Sequence, residues 1–434
     1  MVDERPLWPL LDAAEAAAPV DAVAAVTREV GRRLRAIEVS FLIADVSGRG
    51  LVRLAHEALD SAGSTAAEPA AEPGRRTQAG ESARTVPLDE GGPLERVVRS
   101  QQLEVLPPGR REGWTVLAPV TERGEVIGVL ELRLPAEPRT DDLREIASLA
   151  HLLAFVVIAN RRHTDLYEWG QRSRPLSLSA EIQQRLLPDP RTCEAGAFTL
   201  SGWLEPAADI AGDTFDYSLA RDTLHLSVTD AMGHGVTAAL TATLCVAELR
   251  GARRRGMSLT EQVASASDAV AAHGVTSGLD DFVTGLVARV DLETGSMHLV
   301  DAGHVPPYLA RGREVRTLDP PVNLPLGVLA DTSYEATEVT LEPGDRVVFM
   351  TDGMLERNAE SIDLPTAIRD SRSLHPREAV RALADGVLAA TGHALSDDAT
   401  VLCLDWYGGH GRDRSSVAGA DVSRVSSPVP GVPG

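Results

Sequence analysis

Four acidic sites along the 434-residue chain share one local context. Asp213 sits in Ile210-Ala211-Gly212-Asp213-Thr214-Phe215-Asp216, and Asp230 follows the run Leu224 to Val228 and precedes Ala231-Met232-Gly233-His234-Gly235. Asp352 follows Val347 to Met350 and precedes Gly353, while Asp397 and Asp398 stand directly before Ala399 to Leu404. Taken singly, an Asp at a strand end beside Gly is a common turn residue. Several in one β-rich segment are different, because neighbouring strands would gather their carboxylates at one edge, where they repel one another. Divalent cations relieve such a cluster. Carboxylate, carbonyl and water ligands suit Mg²⁺ or Mn²⁺. Zinc would call for His or Cys, and no His pair stands at helical spacing. Two hard ions can share a hydroxide and orient a phosphoryl group for in-line attack.

Composition excludes several other chemistries. The 42 basic residues are all arginine, so lysine-based Schiff-base or P-loop catalysis is ruled out. Against 63 acids they leave a net charge of −21, which repels phosphate backbones and argues against a nucleic-acid partner. The three cysteines, Cys193, Cys245 and Cys403, form no pair motif, so neither a disulfide framework nor a thiolate zinc site is expected. Cys403 lies in an apolar run and reads as core. No cysteine precedes Cys193, which excludes thiol-linked bilin attachment in the N-terminal part. The apolar stretch Leu149 to Ala159 is about half the length of a membrane span. The first residues carry acids and no basic n-region, so no signal peptide is expected. The expectation is a cytoplasmic protein with no membrane partner.

The elements that must position the acids follow from patterning. Val20 to Leu34 has helical spacing, and Val39 to Ile43 reads as a strand before a Ser47 to Gly50 turn. Ser61 to Gly92 shows no periodicity and reads as a long mobile loop. Pro93 to Arg99 reads as a short helix. Thr115 to Val120 and Val126 to Leu132 flank Glu122-Arg123-Gly124 as a hairpin. Thr140 opens a long helix on which Ile146, Leu149, Leu153, Val156, Asn160, His163 and Tyr167 follow heptad spacing. That spacing suits a dimer stem with Asn160 in the seam, or equally a terminal helix packed on its own domain. A further helix, Leu178 to Leu187, presents Leu178, Ile182 and Leu186 at i, i+4, i+8. From Phe198 strands dominate, with helices at Val236 to Leu249, Thr260 to Ala272 and Pro376 to Ala390. This order indicates α+β rather than alternating βαβ. After Trp406 the composition turns to Gly, Ser, Arg and Pro, expected to be a disordered tail.

The segments Asp209 to Tyr217, Thr229 to Leu240, Phe282 to Val290, Asp301-Ala302-Gly303-His304, Pro325-Leu326-Gly327, Met350 to Glu356 and Asp397 to Leu402 resemble, in order and spacing, bacterial PPM-type (PP2C-like) serine phosphatases of the SpoIIE and RsbU kind. Glu181 to Pro188 resembles the helix leading into that domain. The region before it more weakly resembles a GAF sensor domain. The resemblance implies a GAF-like α/β domain over residues 1–139, a helical linker with dimer stem and switch helix over 140–189, an α-β-β-α sandwich over 190–407 and a tail over 408–434. It also implies a binuclear Mn²⁺ or Mg²⁺ site. Carried over, Asp230 would bridge two ions, the Ala231 carbonyl would help hold one, and Asp213, Asp352 and one of Asp397 and Asp398, Asp397 favoured, would complete the set.

The function implied is a protein-serine/threonine phosphatase acting on a phosphorylated STAS-domain anti-sigma-factor antagonist, with a homodimer expected. The rivals are a catalytically silent signalling scaffold and a metal phosphodiesterase acting on nucleotides. His234, in its Gly-His-Gly turn, suits either proton donation to the leaving oxygen or a helix-opening role, and His304 reads as a packing or turn residue. Gly212, Gly233, Gly235 and Gly353 are expected to permit tight turns near the acids.

Overall fold

Seven antiparallel strands form the N-terminal sheet, in the order β3-β4-β2-β1-β7-β6-β5. Their elements run α1 (Trp8–Ala16), α2 (Ala22–Leu34), β1 (Glu38–Ala44), β2 (Gly50–Ala58), β3 (Arg75–Gln78), β4 (Glu81–Pro87), α3 (Pro93–Ser100), β5 (Glu104–Leu106), β6 (Trp114–Glu122), β7 (Glu125–Leu134), α4 (Thr140–Asn160) and α5 (Leu166–Gly170). The computed structural model describes residues 7–58, 75–78, 81–109, 112–172, 176–207, 212–278, 281–355, 363–392, 395–409, 416–417 and 419–421. The chain divides into two units, Met1–Pro175 with Ser415–Gly434, and Leu176–Arg414. The division puts α4 with the N-terminal unit.

Two expectations change in this unit. Part of the segment read as a mobile loop forms the edge strand β3 and its neighbour β4, while residues 59–74 and 79–80 lie outside the described residues. Arg-Arg-Thr-Gln in β3 carries no apolar alternation because this edge strand pairs with β4 alone. The heptad residues Ile146, Leu149, Leu153 and Val156 are at most 4% exposed and belong to the core of their own unit, beside Val26, Val116 and Leu130. The seam is thus used inside the domain and is not free to form a dimer stem. The helix stops at Asn160, whose Nδ2 donates back to the Val156 carbonyl at 2.9 Å.

The second unit opens with α6 (Leu178–Leu186). Then come β8 (Thr192–Glu194), β9 (Phe198–Glu205), β10 (Asp213–Leu219), β11 (Thr223–Ala231), α7 (Gly235–Arg254), α8 (Leu259–Ser277), β12 (Val283–Asp291), β13 (Ser296–Ala302), β14 (Tyr308–Arg311) and β15 (Glu314–Thr317). It ends with β16 (Thr337–Thr340), β17 (Arg346–Met350), α9 (Leu364–Asp370), α10 (Pro376–Ala390) and β18 (Ala399–Trp406). A five-stranded sheet, β10-β11-β12-β13-β16, faces a six-stranded one, β15-β14-β17-β18-β9-β8.

Alternate residues of each central strand serve two cores. Leu402 and Leu404 of β18 join Leu286 and Val290 of β12 between the sheets. Val401 and Cys403 turn outward to Leu383 and Val387 of α10, and Val283 and Val287 turn outward to Cys245 of α7 and Val263 of α8. Both faces are covered, so stretches such as Leu286 to Ala288 and Val401 to Leu404 read as continuous apolar runs rather than alternating ones. The result is the expected α+β, α-β-β-α sandwich. Burial pushes the Cys403 thiol up to about 12, in keeping with a core role.

In the segment expected as a disordered tail, Ser416–Val417 (β19) pairs with Ala420–Asp421 (β20). Residues 410–415, 418 and 422–434 lie outside the described residues. No helix among the described residues is long and apolar enough to cross a membrane.

Candidate functional site

Asp213 opens β10 and stands opposite Asp230 of β11 in antiparallel register. Opposed residues share a face of the sheet, so the two carboxylates are neighbours. What lets the strand ends close is Gly212. A Cβ there would lie 2.4 Å from the Ala231 carbonyl oxygen and 3.1 Å from Asp230 Oδ1. Ala231 N–H donates to the Gly212 carbonyl at 3.1 Å.

The facing sheet supplies the other acids. β17 runs out at Met350 and Thr351 into a 3-10 turn, Asp352–Leu355, beside the start of β18, which Asp397 and Asp398 precede. Thr351 locks this crossing. Its N–H donates to the Thr400 carbonyl at 3.1 Å, and its Oγ1 accepts from Thr400 N–H at 3.0 Å. The same Oγ1 donates to Asp213 Oδ2 at 2.6 Å, tying one sheet to the other. Gly353 is held so close that a Cβ would fall 1.9 Å from the Asp398 carbonyl oxygen. No side chain fits there.

The two acids of the Asp-Asp pair differ in their commitments. Asp398 is 1% exposed; its Oδ2 accepts from Gln183 Nε2 at 2.6 Å and its Oδ1 from Ala207 N–H at 2.7 Å. Asp397 is half-buried, and its Oδ1 caps the Asp398 N–H at 2.8 Å. Asp352 is exposed.

The electrostatics register the crowding. Burial first, then the charge of Asp230, holds the Asp213 carboxyl well above the carboxylate range, against the opposing Thr351 hydrogen bond. Asp230 is pushed up to about 7 by burial and then by Asp352, Asp397 and Asp398. All the acids singled out in the sequence therefore act on one locality. Asp398 reaches about 7 through burial, opposed by its hydrogen bonds from Gln183 and Ala207.

This donor set fits hard divalent cations. Among the described residues it offers oxygen only, its acids crowd one another, and the Ala231 carbonyl lies beside them. Among the described residues no three acidic, His or Cys side chains form a ready-made ligand group. An ion here would take few carboxylates and retain water, the usual habit of Mg²⁺.

Sequence reading missed Gln183 and Thr351. Gln183 Nε2 donates to the Asp213 carbonyl at 2.9 Å as well as to Asp398. The face of α6 that is buried carries Ser179, Ala180, Gln183 and Leu186, whereas Leu178 is 66% exposed and Ile182 half-buried. The expected apolar face Leu178, Ile182, Leu186 is therefore rotated. A buried amide needs partners, but no apolar periodicity signals one. His234 is exposed at the start of α7 and makes no capping bond. His304 is buried as a packing residue, its Nδ1 2.7 Å from Thr284 Oγ1 and its N–H donating to Asp301 Oδ1 at 2.7 Å. Gly233 and Gly235 both take left-handed conformations, φ 100° and 71°, in the turn after Asp230.

The family description Stage II sporulation protein E (SpoIIE) matches residues 220–407. The chain is 24% identical over 239 residues to the phosphoserine phosphatase RsbU of Bacillus subtilis (strain 168), covering 53% of this chain and 69% of that protein. It is 26% identical over 119 residues to the stage II sporulation protein E of the same organism, covering 26% of this chain and 14% of that one. Among solved structures, the RsbU and RsbW domains of a Mycobacterium tuberculosis protein align at 27% identity and TM-score 0.43, over 49% of this chain and 61% of the other. The SiaA PP2C domain of Pseudomonas aeruginosa aligns at 23% identity and TM-score 0.44, over 52% of this chain and 94% of the other. The C-terminal half of this chain belongs to the SpoIIE/RsbU family of PP2C-type serine phosphatases.

Proposed function

We propose that the protein hydrolyses phosphoserine on a STAS-type anti-sigma-factor antagonist in the cytoplasm, with two Mn²⁺ or Mg²⁺ ions, under control of a GAF-like N-terminal sensor domain. The observation that carries the reading is the Asp213–Asp230 pair, on which Asp352 and Asp397 converge from the facing sheet. The likeness to RsbU, named a phosphoserine phosphatase, supports the substrate class. The seven-stranded antiparallel sheet with its flanking helices supports the sensor reading.

In this reading Asp230, the Ala231 carbonyl, Asp213, Asp352 and Asp397 would hold the ions. Asp398 is a positioning residue, since both its oxygens already accept from Gln183 and Ala207. When bound, the ions supply a nucleophilic hydroxide and charge stabilisation at the phosphoryl group. The chain's own residues hold the ligands still. The Thr351 hydroxyl orients Asp213 Oδ2, Gln183 fixes the backbone of Asp213 and the carboxylate of Asp398, and Gly212 and Gly353 let the strand ends approach. No lysine is present to hold a phosphate.

The test is a panel of phosphorylated STAS-domain proteins incubated with the full chain and Mn²⁺. Loss of phosphoserine from one of them is the expected result. Release from p-nitrophenyl phosphate but from none of the panel would overturn the substrate, and release from neither would overturn the enzyme.

A further inference from the structure

The C-terminal segment groups with the N-terminal unit, although the whole sandwich separates the two in sequence. Its anchor is Gly419, between β19 and β20. The Gly419 carbonyl accepts from the Gly124 N–H at 3.1 Å. Gly124 and Arg123, at φ 79° and 44°, make the left-handed turn joining β6 to β7. Gln101 Nε2 donates to the Gly124 carbonyl at 2.5 Å, so the turn is held on one side and presents its N–H on the other.

The fit at Gly419 is close. Its φ is +91°, and a Cβ would lie 2.2 Å from the Thr121 carbonyl oxygen and 2.7 Å from His151 Nδ1. Those two atoms are themselves 2.9 Å apart, so neither moves away freely. Ala420 and Asp421 are each 3% exposed. A two-residue hairpin cannot hold itself together in water. Its burial comes from the domain surface on which it lies.

We propose that the β6–β7 turn, with Thr121 and His151, is a docking site for the chain's own Gly419-Ala420-Asp421 run. The site selects a glycine in the left-handed region with small neighbours, as in the Gly419-Ala420-Asp421 run.

Hydrogen exchange at the Gly124 amide tests this without reference to phosphatase activity. Three full-length or near-full-length proteins are compared: the intact chain, the chain ending at Gly409, and Gly419→Val. The intact chain should protect Gly124, and both variants should exchange at least about tenfold faster, the loss of one opening-protected bond. Adding a synthetic peptide of residues 414–423 to the shortened chain should restore protection. Equal exchange in the intact chain and either variant overturns the docking site, and failure of the peptide to restore protection overturns its separability from the chain.

Discussion

Gln183 and Asp398 are joined by a 2.6 Å hydrogen bond that carries α6 into the acidic cluster. The same amide nitrogen also reaches the Asp213 carbonyl at 2.9 Å, so one side chain touches strand ends of both sheets. Gln183→Ala leaves a buried carboxylate short of a donor. It should weaken apparent Mn²⁺ affinity by about 10- to 100-fold, the usual cost of losing a partner behind a metal ligand. Gln183→Glu adds a charge to a cluster that already repels itself and should be worse. Phosphate release measured across a Mn²⁺ titration reads both, and wild-type metal dependence in Gln183→Ala would remove α6 from the account.

The two close approaches of glycine give a second test. A methyl at Gly353 would collide with the Asp398 carbonyl, and one at Gly212 with that of Ala231. Each forces backbone movement at a strand end that bears acids, away from the main cores. Gly353→Ala should cut turnover by about 10²-fold, a scale typical of losing one oriented catalytic group. Circular dichroism should stay near wild type. Full turnover would mean that the Asp352 turn does not position the site.

The N-terminal helix α4 makes a different prediction from its heptad spacing. Leu153 is fully buried in its own domain. Leu153→Ala should therefore destabilise that domain by about 2–5 kcal/mol, read as a lower melting transition. An unchanged melt accompanied by a lower mass in light scattering would return the seam to a contact between chains.

The sign of the pH dependence follows from Asp230 and Asp398, both held up to about 7, mainly by burial. In the metal-free chain the fold keeps protons that the unfolded chain releases. The contribution of these groups to stability is full below the ordinary carboxylate range and is lost as pH rises through about 7. Metal-free protein should melt lower at about pH 8 than at about pH 5.5, and Mn²⁺ should stabilise it more at the higher pH, where no protons need displacing. A metal-free melting temperature that climbs over this interval would contradict the clustering.

Much of the sandwich was legible because its central strands pack on both faces. The run Val347 to Met350 is apolar throughout and Ala399 to Leu404 is apolar but for Thr400, and both are strands. Asp352, Asp397 and Asp398 were legible because they stand at the ends of such runs, and Asp230 because it follows the alternating segment Leu224 to Val228. What escaped was set by tertiary context. β3 is an edge strand of polar residues, and the same heptad spacing on α4 serves a seam within a domain as well as one between chains. Gln183 was overlooked because an amide on a buried face breaks the apolar pattern that marks the face. The docking of Gly419 depends on room beside Thr121, which no local signal in a Gly- and Ser-rich segment encodes.

The central claim is that Asp213, Asp230, Asp352 and Asp397 form a metal-dependent phosphatase centre. The most direct measurement is phosphate release from p-nitrophenyl phosphate by wild type and Asp230→Ala, each with and without saturating Mn²⁺. The account predicts release by wild type only with Mn²⁺, and a loss of about 10²-fold or more in the variant, whose unfolding transition remains intact. Wild-type turnover in Asp230→Ala at matched metal, or release by wild type that is indifferent to chelation, would contradict it.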